Sequence, residues 1–337
     1  MKNFIIAFLI VFLLMFSVSC SKKSSVSENL VIYAYDSFIS EWGPGPIVFP
    51  LFEEKTGIKT EIVSPGDSGQ VLSRLILEAE KPEADIVIGI DNNMAQKAIS
   101  AGILEKYTSD ALSNIDDNLI FDKSGHITPY DYGFFAIIYD SEKISVPPSS
   151  LDDLLDSSYS KSIILMDPRT SGPGLGFLLW TVKAYGDDFT EYWKKLSPNI
   201  LTISEGWDSG YGLFVNGEAP MVLSYTTSPA YHLEYENSEI YKAAVFENGN
   251  YMHIEGAAIV KGSKKREEAE KFIDFILSED FQKELPLTNW MFPVRDIPLP
   301  DSYRAALKPE KYLLLDSRTA AENIDSWIKE WLTAVRD

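Results

Sequence analysis

Two doubly wound α/β lobes with a ligand cleft between them are the fold this sequence predicts. Strand-like and helix-like segments alternate along most of the chain. One strand-like segment, Ala84–Ile90, is a near-continuous apolar run, as a strand covered on both faces of a parallel sheet requires. The chain has 337 residues, a length that favours two units over one.

The first residues read as an export signal. Lys2 supplies a positive start, and Phe4–Phe16 is almost wholly apolar. That run is about a dozen residues, short of the about 20 a membrane span needs. Small residues follow and lead to Cys20, so residues 1–19 are expected to be a signal peptide. Cys20 is the only Cys in the chain and stands where a lipobox would place a lipidated first residue. Ser17 occupies the position where the commonest lipobox has Leu, so an ordinary cleaved signal with an incidental Cys is the other reading. Residues 20–29 are polar and featureless, a tether with too little apolar surface to fold.

From there the elements follow in order. Leu30–Tyr35 reads as a strand, Ile47–Lys55 as a helix closed by Thr56 and Gly57, and Ile58–Val63 as a strand. Gln70–Ala79 repeats Val71, Leu72, Leu75, Ile76 and Ala79 at helical spacing. With Ala84–Ile90 this makes a β-α-β-α-β unit. Phe134–Tyr139, Ser162–Met166, Pro220–Ser224 and Gly256–Val260 are further strands, with a helix at Leu175–Tyr185. Arg266–Leu285 is amphipathic. A last helix, with Thr319 and Glu322 at capping-box spacing, carries Ile324, Trp327, Ile328, Trp331, Leu332 and Val335 on one face.

Composition excludes several functions. A net charge of -20 argues against nucleic acid, which demands a basic footprint. With no Cys after position 20 there is no disulfide, no Cys-based zinc site and no Cys nucleophile. His126, His232 and His253 lie far apart, without metal-ligand spacing, so no metal and no cofactor are expected. Asp131 and Asp167 are conceivable catalytic carboxylates, but nothing in the sequence pairs them, and no nucleophile elbow or phosphate loop is present. No catalytic residue is therefore expected. In doubly wound sheets ligands bind beyond the carboxyl ends of the strands, which directs attention to the segments after each strand.

Those segments are distinctive. They are Tyr35–Phe38 with Trp42–Pro46, Gly89–Asn93, Asp131–Ala136, Asp167–Trp180, Gly206–Phe214, Leu223–His232 and Asn289–Val294. Together, in this order, they resemble the periplasmic thiamine-binding proteins of ABC transporters, over about Leu30 to Trp331. The resemblance implies a type II periplasmic-binding-protein fold that closes on its ligand by hinge motion, and delivery of that ligand to a membrane permease. It implies chain crossings near Asp131–Phe135 and Glu255–Ala258. The expected lobes are 30–132 with 258–310, and 133–257 with 311–337. The protein is expected to be a monomer, anchored to a membrane through Cys20.

The resemblance also implies ligand contacts at Asp67, Ser68, Ser171, Gly172, Trp207, Tyr225, Thr226, Thr227 and Ser228, with Tyr35, Trp42, Tyr231 and Trp290 lining the cleft. Ser68 stands where the family has Gly, and Gly172 replaces a Thr. Thiamine carries a permanent thiazolium charge, and a flat cation suits aromatic faces. Asp67 suits a hydrogen bond to the aminopyrimidine, yet Asp67 and Ser68 also suit a helix cap before Gln70. Ser171 and Gly172 precede a helix, where backbone N–H groups favour an anion such as the phosphate of a thiamine phosphate. The sequence leaves open related binders: the run Tyr225–Thr227 lacks the neighbouring tyrosines of ferric-ion binders, and only Asp67 is a clear carboxylate for a polyamine. A surface adhesin draws only on the anchor.

Overall fold

A computed structural model describes residues 28–336. The signal peptide, Cys20 and most of the tether lie outside the described residues. Twelve strands form one continuous sheet: β1 Leu30–Tyr33, β2 Thr60–Val63, β3 Ile86–Asp91, β4 Leu104–Glu105, β5 Thr128–Asp140, β6 Ile163–Met166, β7 Ile200–Ser204, β8 Met221–Tyr225, β9 Tyr241–Ala244, β10 Asn250–Val260, β11 Phe292–Pro293 and β12 Tyr312–Leu313. The helices are α1 Asp36–Ile39, α2 Gly45–Thr56, α3 Ser68–Leu77, α4 Ala95–Ser100, α5 Gly172–Tyr185, α6 Phe189–Leu196, α7 Trp207–Val215, α8 Ser228–Glu236, α9 Arg266–Ile276, α10 Glu279–Gln282, α11 Leu285–Thr288 and α12 Ser317–Ala334.

The main sheet order is β2-β1-β3-β10-β5-β8-β6-β7. β1, β2 and β3 are parallel, and so are β6, β7 and β8. Each parallel set is wound through helices, as the apolar alternation predicts. β5 and β10 join the two sets antiparallel to each other, with Asp131 opposite Glu255 and Met252 opposite Phe134. Both strands are longer than expected. β5 starts six residues before Phe134 and β10 six residues before Gly256. Their polar residues Asp131, His253 and Glu255 interrupt the apolar run but not the ladder, which hydrogen-bonds through the backbone whatever the side chain.

Several helix ends differ from expectation: α2 and α3 each start two residues early, at Gly45 and Ser68. α5 begins at Gly172, because Ser171 accepts from the Gly174 amide at 3.4 Å and starts the helix early. The amphipathic stretch after Arg266 is broken, since Leu277 ends α9 and Ser278 caps α10 by accepting from the Phe281 amide. The last helix is capped by Asp316, not Thr319: Asp316 Oδ1 accepts from the Thr319 amide at 2.9 Å.

Core packing fixes each side of the sheet. All of β3 is buried. Phe52 meets Phe272 and Phe275 at ring distances of 5.1 and 5.4 Å. On the other side Phe177 meets Trp193 at 5.5 Å, and Trp193 meets Trp331 of α12 at 5.8 Å. α12 also reaches α4 through an ion pair between Lys97 and Asp325 at 2.8 Å. Among the described residues no helix is long and apolar enough to cross a membrane.

Candidate ligand-binding site

The segments after β1, β2, β6, β7 and β8 converge with the loop after α11 on one cleft. Its inner part, about 520 Å³ counting the open mouth, is lined by Tyr35, Ser37, Trp42, Asp67, Ser68, Pro173, Trp207, Tyr225, Ser228, Glu255, Asn289, Trp290 and Met291. An outer part of about 800 Å³ shares Trp42, Trp207, Ser228 and Trp290 with it and adds Asp208, Tyr211, Gly212, Val215, Asn216 and Tyr231.

Sequence details explain how the walls are held. The first strand ends at Tyr33, short of the expected Tyr35, which stands at the start of α1 and lies over Gly89, whose φ is +97°; a Cβ there would stand 2.4 Å from Cδ1 of the Tyr35 ring. Trp207 is locked on several sides. Its indole N–H donates to Ser224 Oγ at 2.9 Å, its ring stacks on Tyr211 at 4.9 Å, and Trp42 stands 5.8 Å across from it. Tyr211 is in turn hydrogen-bonded to buried His232 at 2.8 Å, and His232 to Glu236 at 2.9 Å. Trp290 has a φ of +55°, rare for a bulky residue, at a place where its ring walls both parts of the cleft.

Asp67 joins the two sides. It caps α3 with Gln70 reaching back to its amide at 3.0 Å. The same carboxylate accepts from Gly172 N at 3.4 Å, at the start of α5, and from Trp207 N at 3.0 Å, at the start of α7. The helix cap read from sequence is present, and the same side chain lines the cleft.

The floor is a group of buried acids that the sequence hid. Glu255 lies directly opposite Asp131 on β5 and opposite Asp91 on β3. Tyr35 OH donates to Glu255 Oε2 at 3.0 Å, and Asn289 Nδ2 donates to Asp131 Oδ2 at 2.6 Å. His253 stands 3.5 Å from Asp91 and 3.6 Å from Glu255, at ion-pair distance. Burial and the Glu255 charge push the Asp131 carboxyl well above its usual range. Burial pushes Glu255 up as well, but His253, Asp131 and Tyr35 together bring it below the ordinary value. Burial pulls His253 down, yet the carboxylates around it hold it above 6.5.

Of the residues named from sequence, Tyr35, Trp42, Asp67, Ser68, Trp207, Tyr225, Ser228 and Trp290 meet in the inner cleft, and Tyr231 borders the outer part. Ser171, Thr226 and Thr227 are buried and do not line either part, nor does Gly172. Ser171 serves as the α5 cap, and Gly172 spends its amide on Asp67. Glu255, Asn289, Met291, Asp208 and Tyr211 were not singled out. Glu255 sits in an apolar run where only strand register gives it away.

Among the described residues no Lys, Arg or His lines either part of the cleft, and no group of three or more His, Cys, Asp or Glu is arranged to hold a metal ion. Carboxylates and aromatic faces suit a flat, positively charged molecule that brings N–H donors.

Comparison with known proteins agrees with the geometry. Residues 81–323 match the family described as bacterial extracellular solute-binding protein. The chain is 43% identical over 329 residues to the thiamine-binding periplasmic protein of Brucella abortus, covering 97% of this chain and 98% of that one. It is 42% identical over 318 residues to the protein of the same name from Escherichia coli strain K12, covering 94% and 96%. Among solved structures it is similar to a periplasmic thiamin binding protein, with a TM-score of 0.87, 41% identity, and coverage of 91% and 96%.

Proposed function

The chain belongs to the bacterial extracellular solute-binding proteins, and on that premise we propose that it is the substrate-binding component of an ABC importer that captures thiamine. The observation that carries this is the pairing of acidic floor and aromatic walls in one cleft, in a chain 43% identical to a thiamine-binding periplasmic protein. Thiazolium has no N–H to offer, so its charge is met by faces: Trp42, Trp207 and Trp290. Cation–π contacts of this kind contribute about 0.5–2 kcal/mol each, more as water is excluded. The remaining polar end of the molecule faces Asp67, Glu255, Asn289 and Tyr35.

Contacts at the thirteen residues named from sequence are part of this proposal, with Tyr35, Trp42, Asp67, Ser68, Trp207, Tyr225, Ser228, Tyr231 and Trp290 as its stronger members because they border the cleft. The lobes are taken as 30–132 with 258–310 and 133–257 with 311–337, hinged where β5 and β10 cross. The protein acts as a monomeric carrier without catalysis and hands its ligand to a membrane permease. It is exported to the periplasm, and lipidation at Cys20 holds it at a membrane.

A ligand that binds only the folded state raises the melting temperature by mass action. A melting series with thiamine, its mono- and pyrophosphate, spermidine and ferric citrate tests the assignment. Thiamine is expected to raise the transition clearly and spermidine and ferric citrate not at all. A shift with one of the latter and none with any thiamine form would replace thiamine with that solute.

A further inference from the structure

The floor of the cleft pairs a carboxylate that reaches the cavity with buried polar atoms that have no partner among the described residues. Glu255 is the carboxylate that reaches the inner cavity from β10. Its Oε2 accepts from Tyr35 OH at 3.0 Å and from Asn289 Nδ2 at 3.2 Å. Its Oε1 stands 3.6 Å from His253 Nε2, beyond hydrogen-bond length. Behind it, fully buried Asp131 leaves Oδ1 without a hydrogen-bond partner among the described residues. The Asn289 amide is already spent on Asp131, Glu255 and Tyr35. A carboxylate that faces the cavity, as Glu255 does, favours a ligand group that donates.

Thiamine has two unlike ends. The thiazolium is a flat cation without an N–H, and the aminopyrimidine carries an exocyclic amine. The indoles of Trp42, Trp207 and Trp290 flank the passage between inner and outer cleft; Asp67, Glu255 and Asn289 line the inner part, and Asp208 and Asn216 line the outer part. We infer that Glu255 is a specificity-determining contact: its carboxylate accepts from the pyrimidine amine, which orients the ligand with the pyrimidine inward and the thiazolium between the indoles. This deepens the thiamine assignment and rests on it. The local electrostatics agree. His253 beside Glu255 keeps the carboxylate in its accepting form, and the raised Asp131 keeps a second negative charge away from it.

Oxythiamine, which carries oxygen where thiamine carries the pyrimidine amine, separates this contact from the rest of the site. Titration calorimetry with both ligands on wild type, Glu255→Gln and Trp207→Phe is the test. Wild type is expected to prefer thiamine by about tenfold or more, because a site built around a donor rejects the analogue lacking it. Glu255→Gln lowers thiamine affinity by about tenfold and brings the two ligands to within about threefold of each other. Trp207→Phe weakens both ligands by a similar factor. Equal wild-type affinity for thiamine and oxythiamine overturns the inference without any variant, and so does a Glu255→Gln protein that keeps the wild-type preference. Wild type that binds neither ligand overturns the thiamine assignment itself.

Discussion

Trp207 is the side chain on which most of the outer cleft depends. Its N–H is committed to Ser224 and its ring to Tyr211 and Trp42, so little rotamer freedom is left for a ligand to remove. Trp207→Ala is expected to weaken thiamine binding by about tenfold or more in calorimetry, since one desolvated cation–π contact is worth about 2 kcal/mol. A change under about twofold would move the cation elsewhere. Near the mouth, burial together with Asp67 and Asp208 pushes Asp36 up to about 6. A carboxyl raised in the folded state binds its proton more tightly there than in the unfolded chain. Its contribution to stability is therefore greatest below about pH 4 and declines as pH rises through about 6. Asp36→Asn is expected to gain melting temperature relative to wild type between pH 4 and 7; a difference that stays constant across that range contradicts this. At this scale the sequence was informative where aromatic residues sit beside Gly after strands, as with Trp42 and Trp207. It was silent on Glu255 and Asn289, because their partners Asp131 and Tyr35 are more than 120 residues and 250 residues away respectively.

At the scale of elements, α12 acts as a clasp. It carries Trp331 against Trp193 of α6 and Asp325 against Lys97 of α4, so it touches elements from both parallel sets. Trp331→Ala is expected to cost about 3–5 kcal/mol in chemical unfolding, the range for deleting a buried large aromatic, while thiamine affinity stays within about twofold of wild type. Unchanged stability would mean that the helix is not docked in solution. The apolar face of α12 was legible from its spacing. Its cap was not, because Asp316 and Thr319 are both good capping residues and only backbone geometry chooses Asp316. Strand lengths were misjudged for a related reason: periodicity reports side chains, whereas β5 and β10 continue through Asp131 and His253 by backbone pairing.

Across the whole molecule, binding depends on how closely the two sides meet. The first turn of α3 comes against the loop before α5, and a Cβ on Gly69 would lie 2.6 Å from the Thr170 carbonyl oxygen. Backbone cannot yield there as a side-chain tip can. Gly69→Ala is therefore expected to lower thiamine affinity by about tenfold through hindered closure, with ligand-free unfolding nearly unchanged, since open lobes relieve the clash. An unaltered affinity would show that this contact is not made in the bound state. The two-lobed layout followed from alternation and length, and the resemblance supplied the crossings that alternation could not. Capture of thiamine is proposed for the cleft between Asp67 and the indoles. Isothermal titration of the mature domain with thiamine tests it most directly. The expected result is one site with sub-micromolar affinity, a binding free energy beyond about 8 kcal/mol. No heat with thiamine or either phosphate, in a protein that melts cooperatively, would contradict it.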